Sequence, residues 1–454
     1  MAEIRSTKKG AARAATLYQP LEGRGAGDGR SIEEIRAAAL EAYESLEPPT
    51  WRRSGFWTTS LRDLDLDALQ PKHVEPGEIP PVVTEALGDE RPAGLLVQRN
   101  ATVVHLELDS ELAAQGVVLC SLEDAVREYP ELVREHFMKR LTYDRDKLEA
   151  ATAAFWTGGA FLHVPANVTI DRPFQVVYVI DEAGSAQYAH TLVVAGAHSD
   201  FRLREYDLAG AFEGPALHAG HFECYLGDGA RAKIAHFQDW GSDGQEVYDV
   251  STHFTRVGRD GHATWIPIHL GGRLTRQHIE LSTAENGSDM RHRGIYFTED
   301  EEHLDLFTVD LHESGHTTGD TVWKGAATGA SRASYEGLIK IVPDAQESHT
   351  YLQTHSMMLS PRAKVDAIPS LIVETDSVSA SHGGTVGEVD EGQVFYMQTR
   401  GLSRHDAVRV IVEGYFEPIV VQLDDEGLER LVRERIARKL AAAEEDIEAY
   451  AAAK

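Results

Sequence analysis

The chain has 454 residues, room for about two or three structural units, and its 42% hydrophobic and 8% aromatic content marks a folded protein. A formal net charge of -29 argues against nucleic-acid binding, which needs clustered Lys and Arg, and against anionic membrane surfaces. Two cysteines far apart, Cys120 and Cys224, give no disulfide framework and no C-x-x-C pair, which fits a reducing cytoplasm, and no run approaches the ~18 apolar residues of a membrane span.

Residues 1–30 read as a flexible leader. MAEIRSTKKGAARAATLYQP is basic without the apolar stretch of a secretory signal, and the Gly-rich LEGRGAGDGR follows it. Residues 31–150 are mixed and largely helical. Ser31 and Glu34 stand at capping-box spacing, Ile32, Ile35, Leu40 and Tyr43 form a helical stripe, and Pro48 and Pro49 end it. The stretch 97–109, VQRNATVVHLELD, reads as strand. A second helical stretch opens at Ser121, and Pro130 can begin a new helix because a first-turn residue needs no N–H.

Residues 151–401 change character. Short β-like runs such as HTLVVAG, HFECYLG, ATWIPIHLGG, QHIELST and ASYEGLIKIV alternate with turn-like pieces such as GDGA, GRDGH and AENGSD. From Gly315 the turns recur at roughly 14–18 residues, and earlier ones at about twice that. Recurring strand–turn units without helices predict either a coil of strands or a large sandwich. In a coil, each unit is too small to close its own core.

Residues 402–454 are helical again. Ser403 and Asp406 cap DAVRVIVEGYF, with Gly414 and Pro418 expected to end that helix. GLERLVRERIARKLAAAEEDIEAY then reads as one long helix with an apolar stripe of Leu428, Leu431, Val432, Ile436 and Leu440.

One string proposes a chemistry of its own. His312 to His316 spell HESGH, the H-E-x-x-H pattern of zinc peptidases. There the two histidines lie one helical turn apart, so both reach one Zn²⁺ while the Glu activates water. Here the flanks DLFTVDL and TTGDTVW alternate as strands do, and Gly315 and Gly319 mark a turn, so a turn joining two strands is the favoured reading. The remaining histidines, of 21 in all, cannot be sorted by spacing, because neighbours in a coil lie a whole turn apart. Neither G-x-x-x-x-G-K-[ST] nor G-x-S-x-G occurs, which excludes P-loop ATP hydrolysis and α/β-hydrolase chemistry. A second reading of the strand pattern is a β-helical carbohydrate-active enzyme, with Asp, Arg and His on one strand face lining a groove.

Several segments carry a resemblance. WKGAATGASRASYEGLIKI (323–341), SPRAKVDAIPSLIVE (360–374) and SASHGGTVGEVDEGQVFYMQTRGLS (379–403) resemble successive signatures of the SufB/SufD family of iron–sulfur cluster assembly. GVVLCSLEDAVREYPELVREHF and AAFWTGGAFLHVPANVTIDRP resemble the entry to its core, so the likeness runs from about residue 117 onward. It implies a mainly β protein: a right-handed parallel β-helix over 151–401 between helical N- and C-terminal regions. It implies a scaffold without catalysis of its own, paired with SufB or a second copy of itself. Each C-terminal helical region would hold a SufC ATPase, whose ATP-driven dimerisation exposes a cluster-building site at the subunit interface. A transient Fe–S cluster or iron would sit at that interface, and the isolated chain is expected to bind no cofactor.

Residue by residue, His382 matches the histidine that the SufD form offers to a nascent cluster, and neutral imidazole is a reasonable iron ligand. Met397 stands where SufB has a cysteine, and Ser381 and Gly383 stand where SufB is acidic; both point to SufD. The segment 332–341, with Tyr335, is closer to SufB. Cys224 lies in a stretch similar to the one near SufB's sulfur-accepting cysteine, with a buried structural thiol as the alternative. SufC docking is expected on the C-terminal helices, at Val408, Ile411, Phe416, Leu428 and Leu431, unless those side chains pack on their own domain.

Overall fold

The structure is a computed structural model that describes residues 21, 27, 29–53, 57–61, 63–88, 90–241 and 244–452. The leader expected over 1–30 lies almost wholly outside the described residues. Strands such as His303–His312 and Arg332–Ile341 bury nearly every side chain. That requires cover on both faces, as in parallel sheets.

Two sheets supply it. The first runs Val118–Cys120, Ala160–Val164, Ala186–Ala195, Gly214–Leu226, Gln245–Val257, Leu274–Thr283, His303–His312, Arg332–Ile341, Lys364–Val373. The second runs Thr102–Leu108, Gly94–Arg99, Phe174–Ile180, Asp200–Ala209, Arg231–Asp239, His262–His269, Asp289–Thr298, Thr318–Ala327, His349–Met358, Ser379–Glu388. The chain alternates between them, so each link is a short corner and no crossover helix is needed. The result is a parallel β-solenoid of about seven turns with helices at both ends of the chain.

One corner explains HESGH. Asn167, His198, Gly229, Asp260, Gly287, His316 and Glu347 all have positive φ and recur once per turn of the coil. Their backbone N–H groups donate to the next turn: His198 to the Asp228 carbonyl at 2.8 Å, Gly229 to Arg259 at 2.7 Å, His316 to Gln346 at 2.8 Å. His316 is therefore a left-handed corner residue, exposed, with its ring 3.0 Å from the Glu347 carboxylate. His312 is buried at the strand end, its Nδ1 within 2.7 Å of the Thr317 hydroxyl, and burial pulls its pKa down to about 4. The two do not share a helix face. The zinc-peptidase pattern is one turn of a coil.

Three apolar regions hold the fold. The lumen between the sheets packs Leu203, Ile234, Trp265, Trp323, Tyr335 and Leu352. The outer face of the second sheet packs against the C-terminal helices through Val177, Phe237, Ile268, Phe297, Phe416 and Leu440. The outer face of the first sheet packs against N-terminal helices, including Ile32–Ser45 and Lys147–Phe155, through Tyr188, Leu192, Phe254, Phe137 and Trp156. Helices thus cover large parts of the outer sheet faces, where a carbohydrate enzyme would need an open groove.

Three local expectations change. The stretch 97–109 is a hairpin, Gly94–Arg99 with Thr102–Leu108, turned at Asn100 with φ 50°. Gly94–Arg99 also pairs in parallel with Phe174–Ile180, so the second sheet begins inside the N-terminal region. Helix Arg404–Val420 continues through Gly414 and Pro418. Pro418 sits in its last turn, and burial of Phe416, Ile419 and Val420 holds that turn. The long terminal helix is instead two, Glu426–Ala442 and Glu444–Ala452. Glu444, Glu445 and Asp446 favour a helix N-terminus. The solenoid also extends to shorter spacing before Gly315 than the sequence suggests: strands Arg231–Asp239, Gln245–Val257, His262–His269 and Leu274–Thr283 follow one another across brief corners.

Candidate functional site

The two ends of the solenoid differ. At the start, each sheet is closed by an antiparallel partner, Thr102–Leu108 on one and Val118–Cys120 on the other. At the far end, Lys364–Val373 and Ser379–Glu388 are each the last strand of their sheet among the described residues. Each presents a row of backbone N–H and C=O groups, a ready template for another strand. Pro369 removes one donor from the first row; the second contains no proline.

Apolar side chains are exposed at this same end. Leu371, Val373 and Val386 lie on the last strands, Tyr351 on the adjoining strand His349–Met358, and Phe395 and Tyr396 on the helix Glu391–Thr399 that follows. Phe395 is 68% exposed, unusual for an aromatic without a partner.

His382 sits in this patch. Strand register stacks Phe174, Leu203, Ile234, Trp265, His292, Thr321, Leu352 and His382 in one column. That column lines the lumen, so His382 continues the lumen row at its open end. It is exposed and makes no hydrogen bond or ion pair among the described residues. Its ring is open to solvent at the end of the coil. Three residues further along, on the opposite face of the sheet, His355 holds Thr385 by Nδ1 at 2.8 Å, and its carbonyl accepts from the Tyr415 hydroxyl at 2.5 Å. Burial and then Lys324 lower the His355 pKa. Met397 is half-buried against the core of the C-terminal helices.

The other expected residues fall elsewhere. Cys224 is fully buried in the lumen among apolar neighbours, and burial pushes its thiol far up, away from the reactive thiolate. Cys120 is also buried, its thiol pushed up to about 12 by burial, then by Asp124 and Glu128. Val408, Phe416, Leu428 and Leu431 are buried against the chain's own second sheet and Ile411 is half-buried. The apolar stripe attaches the helices to the solenoid. The groove between helices Arg404–Val420 and Glu426–Ala442 is lined by Val410, Glu413, Phe416, Glu417, Arg433 and Glu434, so Phe416 borders it. Within it Arg433 donates to Glu417 at 2.7 Å and Glu429 at 2.9 Å. The sequence reading missed the patch of Tyr351, Phe395 and Tyr396; the adjacent aromatic pair of FYM was its one visible signal.

A two-sheet parallel solenoid, closed at one end and open at the other, with helices on both flanks, defines a class of β-solenoid proteins. The signature described as SUF system FeS cluster assembly, SufBD core domain, matches residues 178–415, and that of the SufBD protein N-terminal region matches 93–176. The chain belongs to the SufBD family. It is 28% identical to the iron–sulfur cluster assembly protein SufD of Bacillus subtilis, over 90% of this chain and 94% of that one. It is 26% identical to an iron–sulfur cluster assembly SufBD family protein of Staphylococcus epidermidis, over 86% of this chain and 85% of the relative. A Pyrococcus horikoshii member of the same description is 28% identical over 72% of each chain. No helix among the described residues is long and apolar enough to cross a membrane.

Proposed function

We propose that this chain is a SufD-like scaffold subunit of a cytoplasmic iron–sulfur cluster assembly complex, without catalysis of its own. The observation that carries the reading is the open end of the solenoid, where two unpaired strand edges, an exposed apolar patch and the unpartnered His382 coincide. A SufB-type subunit, or a second copy of this chain, adds its own terminal strands to those edges. Backbone hydrogen bonds across the edges provide register, and Tyr351, Leu371, Val386 and Phe395 provide the buried area. His382 then lies at the seam and offers its imidazole to iron or to a nascent cluster, which is cargo of the assembly. A SufC ATPase docks on the outward groove between the C-terminal helices. Lys439 on Glu426–Ala442 is buried with Glu299, at 2.7 Å, and Glu302 of the solenoid. Through that contact, movement of the helices is transmitted to the coil.

The test is co-purification. The tagged chain, co-expressed with SufB-type and SufC-type subunits, is expected to retain both through gel filtration. Recovery of the chain alone under those conditions refutes the scaffold reading.

A further inference from the structure

The lumen holds a second cluster of ligand-type side chains, deep in the coil. Glu205 and Asp207 are two apart on Asp200–Ala209, so both face one side of the strand. That side is the lumen, because Phe201 and Leu203 share it. His236 is the parallel partner of Glu205 on the next strand. One donor atom from each of the three lies within 4.8 Å of the other two, and all three side chains are more than nine-tenths buried.

Two observations set this cluster apart from an ordinary buried hydrogen-bond network. The first is charge. Several other buried carboxylates have a cationic side chain: Arg145 for Glu149, Arg204 for Asp425, Lys439 for Glu299 and Glu302. Around Glu205, Asp207 and the nearby Asp249, no Lys or Arg is among the groups that act on them; His236 is the one base. Burial is the largest influence on all three and raises each pKa. The second is hydrogen bonding. Asp207 Oδ1 and His236 Nδ1 are buried without a partner, as are Nδ1 of His253 and both ring nitrogens of His269. The His253 and His269 rings lie 4.9 and 5.9 Å from His236. Buried polar atoms are nearly always partnered, and an unpartnered oxygen of Asp207 and an unpartnered nitrogen of His236 within one three-residue donor cluster describe a place for a bound cation.

We propose that the lumen binds one first-row divalent cation, Mn(II), Fe(II) or Zn(II), between Glu205, Asp207 and His236. Two oxygens and one imidazole nitrogen suit these ions, while the lack of a thiolate donor disfavours Cu(I). Metal–ligand bonds of about 2.1 Å place donors about 3–4 Å apart. His236 Nε2 and Asp207 Oδ2 now stand at hydrogen-bond distance, 2.7 Å, so the pair opens by about 0.3–1.3 Å. The cation replaces protons on the carboxylates and releases them to solvent. Five strand steps of about 4.8 Å separate this site from the level of His382, so the two are about 24 Å apart along the coil. Binding here needs no partner subunit and does not depend on the proposed scaffold role.

The test uses the full chain, stripped with chelator and titrated calorimetrically with Mn(II), Zn(II) and, without oxygen, Fe(II). Wild type is expected to bind one equivalent in the lumen with proton release. Asp207→Asn and Glu205→Gln, which keep side-chain size, are expected to bind at least tenfold more weakly. Equal affinity in all three proteins, or no binding at millimolar metal, overturns the proposal. If the lumen variants do not fold, anomalous diffraction from metal-soaked wild-type crystals decides. Density among Glu205, Asp207 and His236 supports the site, and density elsewhere or none overturns it.

Discussion

Asp310 offers a sharp test of how the lumen manages buried charge. It lies on the lumen face of His303–His312, fully buried. The Thr321 hydroxyl donates to its Oδ2 at 2.5 Å, and its Oδ1 has no partner. Burial is the largest influence and lifts its pKa from 3.8 to about 7. Below pH 3.8 the folded and unfolded chains are both protonated here, and the group is neutral to stability. As pH rises from 3.8 to 7 the unfolded chain releases the proton while the folded chain keeps it, so stability falls by about 1.4 kcal/mol per pH unit. Above pH 7 the loss is complete, about 4 kcal/mol. Asp310→Asn keeps the shape and removes the titration. Its new buried N–H₂ adds a constant cost of about 1–3 kcal/mol, which does not vary with pH. Urea unfolding followed by circular dichroism from pH 5 to pH 8 is expected to show the variant gaining about 3 kcal/mol on wild type across that range. Stability curves that stay parallel would refute the claim that this carboxyl is held protonated by the lumen.

Other outcomes follow from named contacts. Lys439→Met leaves Glu299 and Glu302 buried without their cation, and is expected to cost about 3–5 kcal/mol in urea unfolding; a loss below 1 kcal/mol would show that the helices are not anchored there. At Gly294 an added Cβ would stand 2.2 Å from the Trp323 ring. Gly294→Ala is therefore expected to lower stability by about 1–3 kcal/mol through overpacking, read as a reduced melting temperature. His382 is exposed, so His382→Ala should leave the melting transition within about 0.5 kcal/mol of wild type. The same variant is expected to lower Fe–S enzyme maturation in cells, and normal maturation would remove the histidine's assigned role.

The fold was legible where local chemistry repeats. Alternating runs such as HLDLFTVDL and ASYEGLIKIV are strands, and Ser31, Ser121 and Ser403 cap the helices that follow them, each accepting from the backbone N–H three residues on. The period of the coil was harder to see. The corner residue that sets it changes identity from Asn167 to His198, Gly229, Asp260, Gly287, His316 and Glu347; what recurs is a positive φ, not a residue type. His382 was named from a family resemblance, yet its place in the lumen column follows only from strand register. The expected docking residues are mostly buried for a general reason. An apolar stripe on a terminal helix looks the same whether it faces a partner or its own sheet, and here Val408, Phe416, Leu428 and Leu431 face the sheet. The Glu205, Asp207 and His236 group was invisible because 29 residues separate Asp207 from His236 while the coil sets their strands side by side.

The central claim is that the open end of the solenoid is a pairing surface. Leu371→Lys with Val386→Lys places a charge on each terminal strand at positions already exposed, so the chain itself should fold as before. The decisive measurement is the light-scattering mass of the chain eluting with and without a SufB-type subunit, for wild type and for this double variant. The account predicts a two-subunit particle for wild type and single chains for the variant. An undiminished two-subunit particle in the variant, or a wild type that stays single in both mixtures, would contradict it.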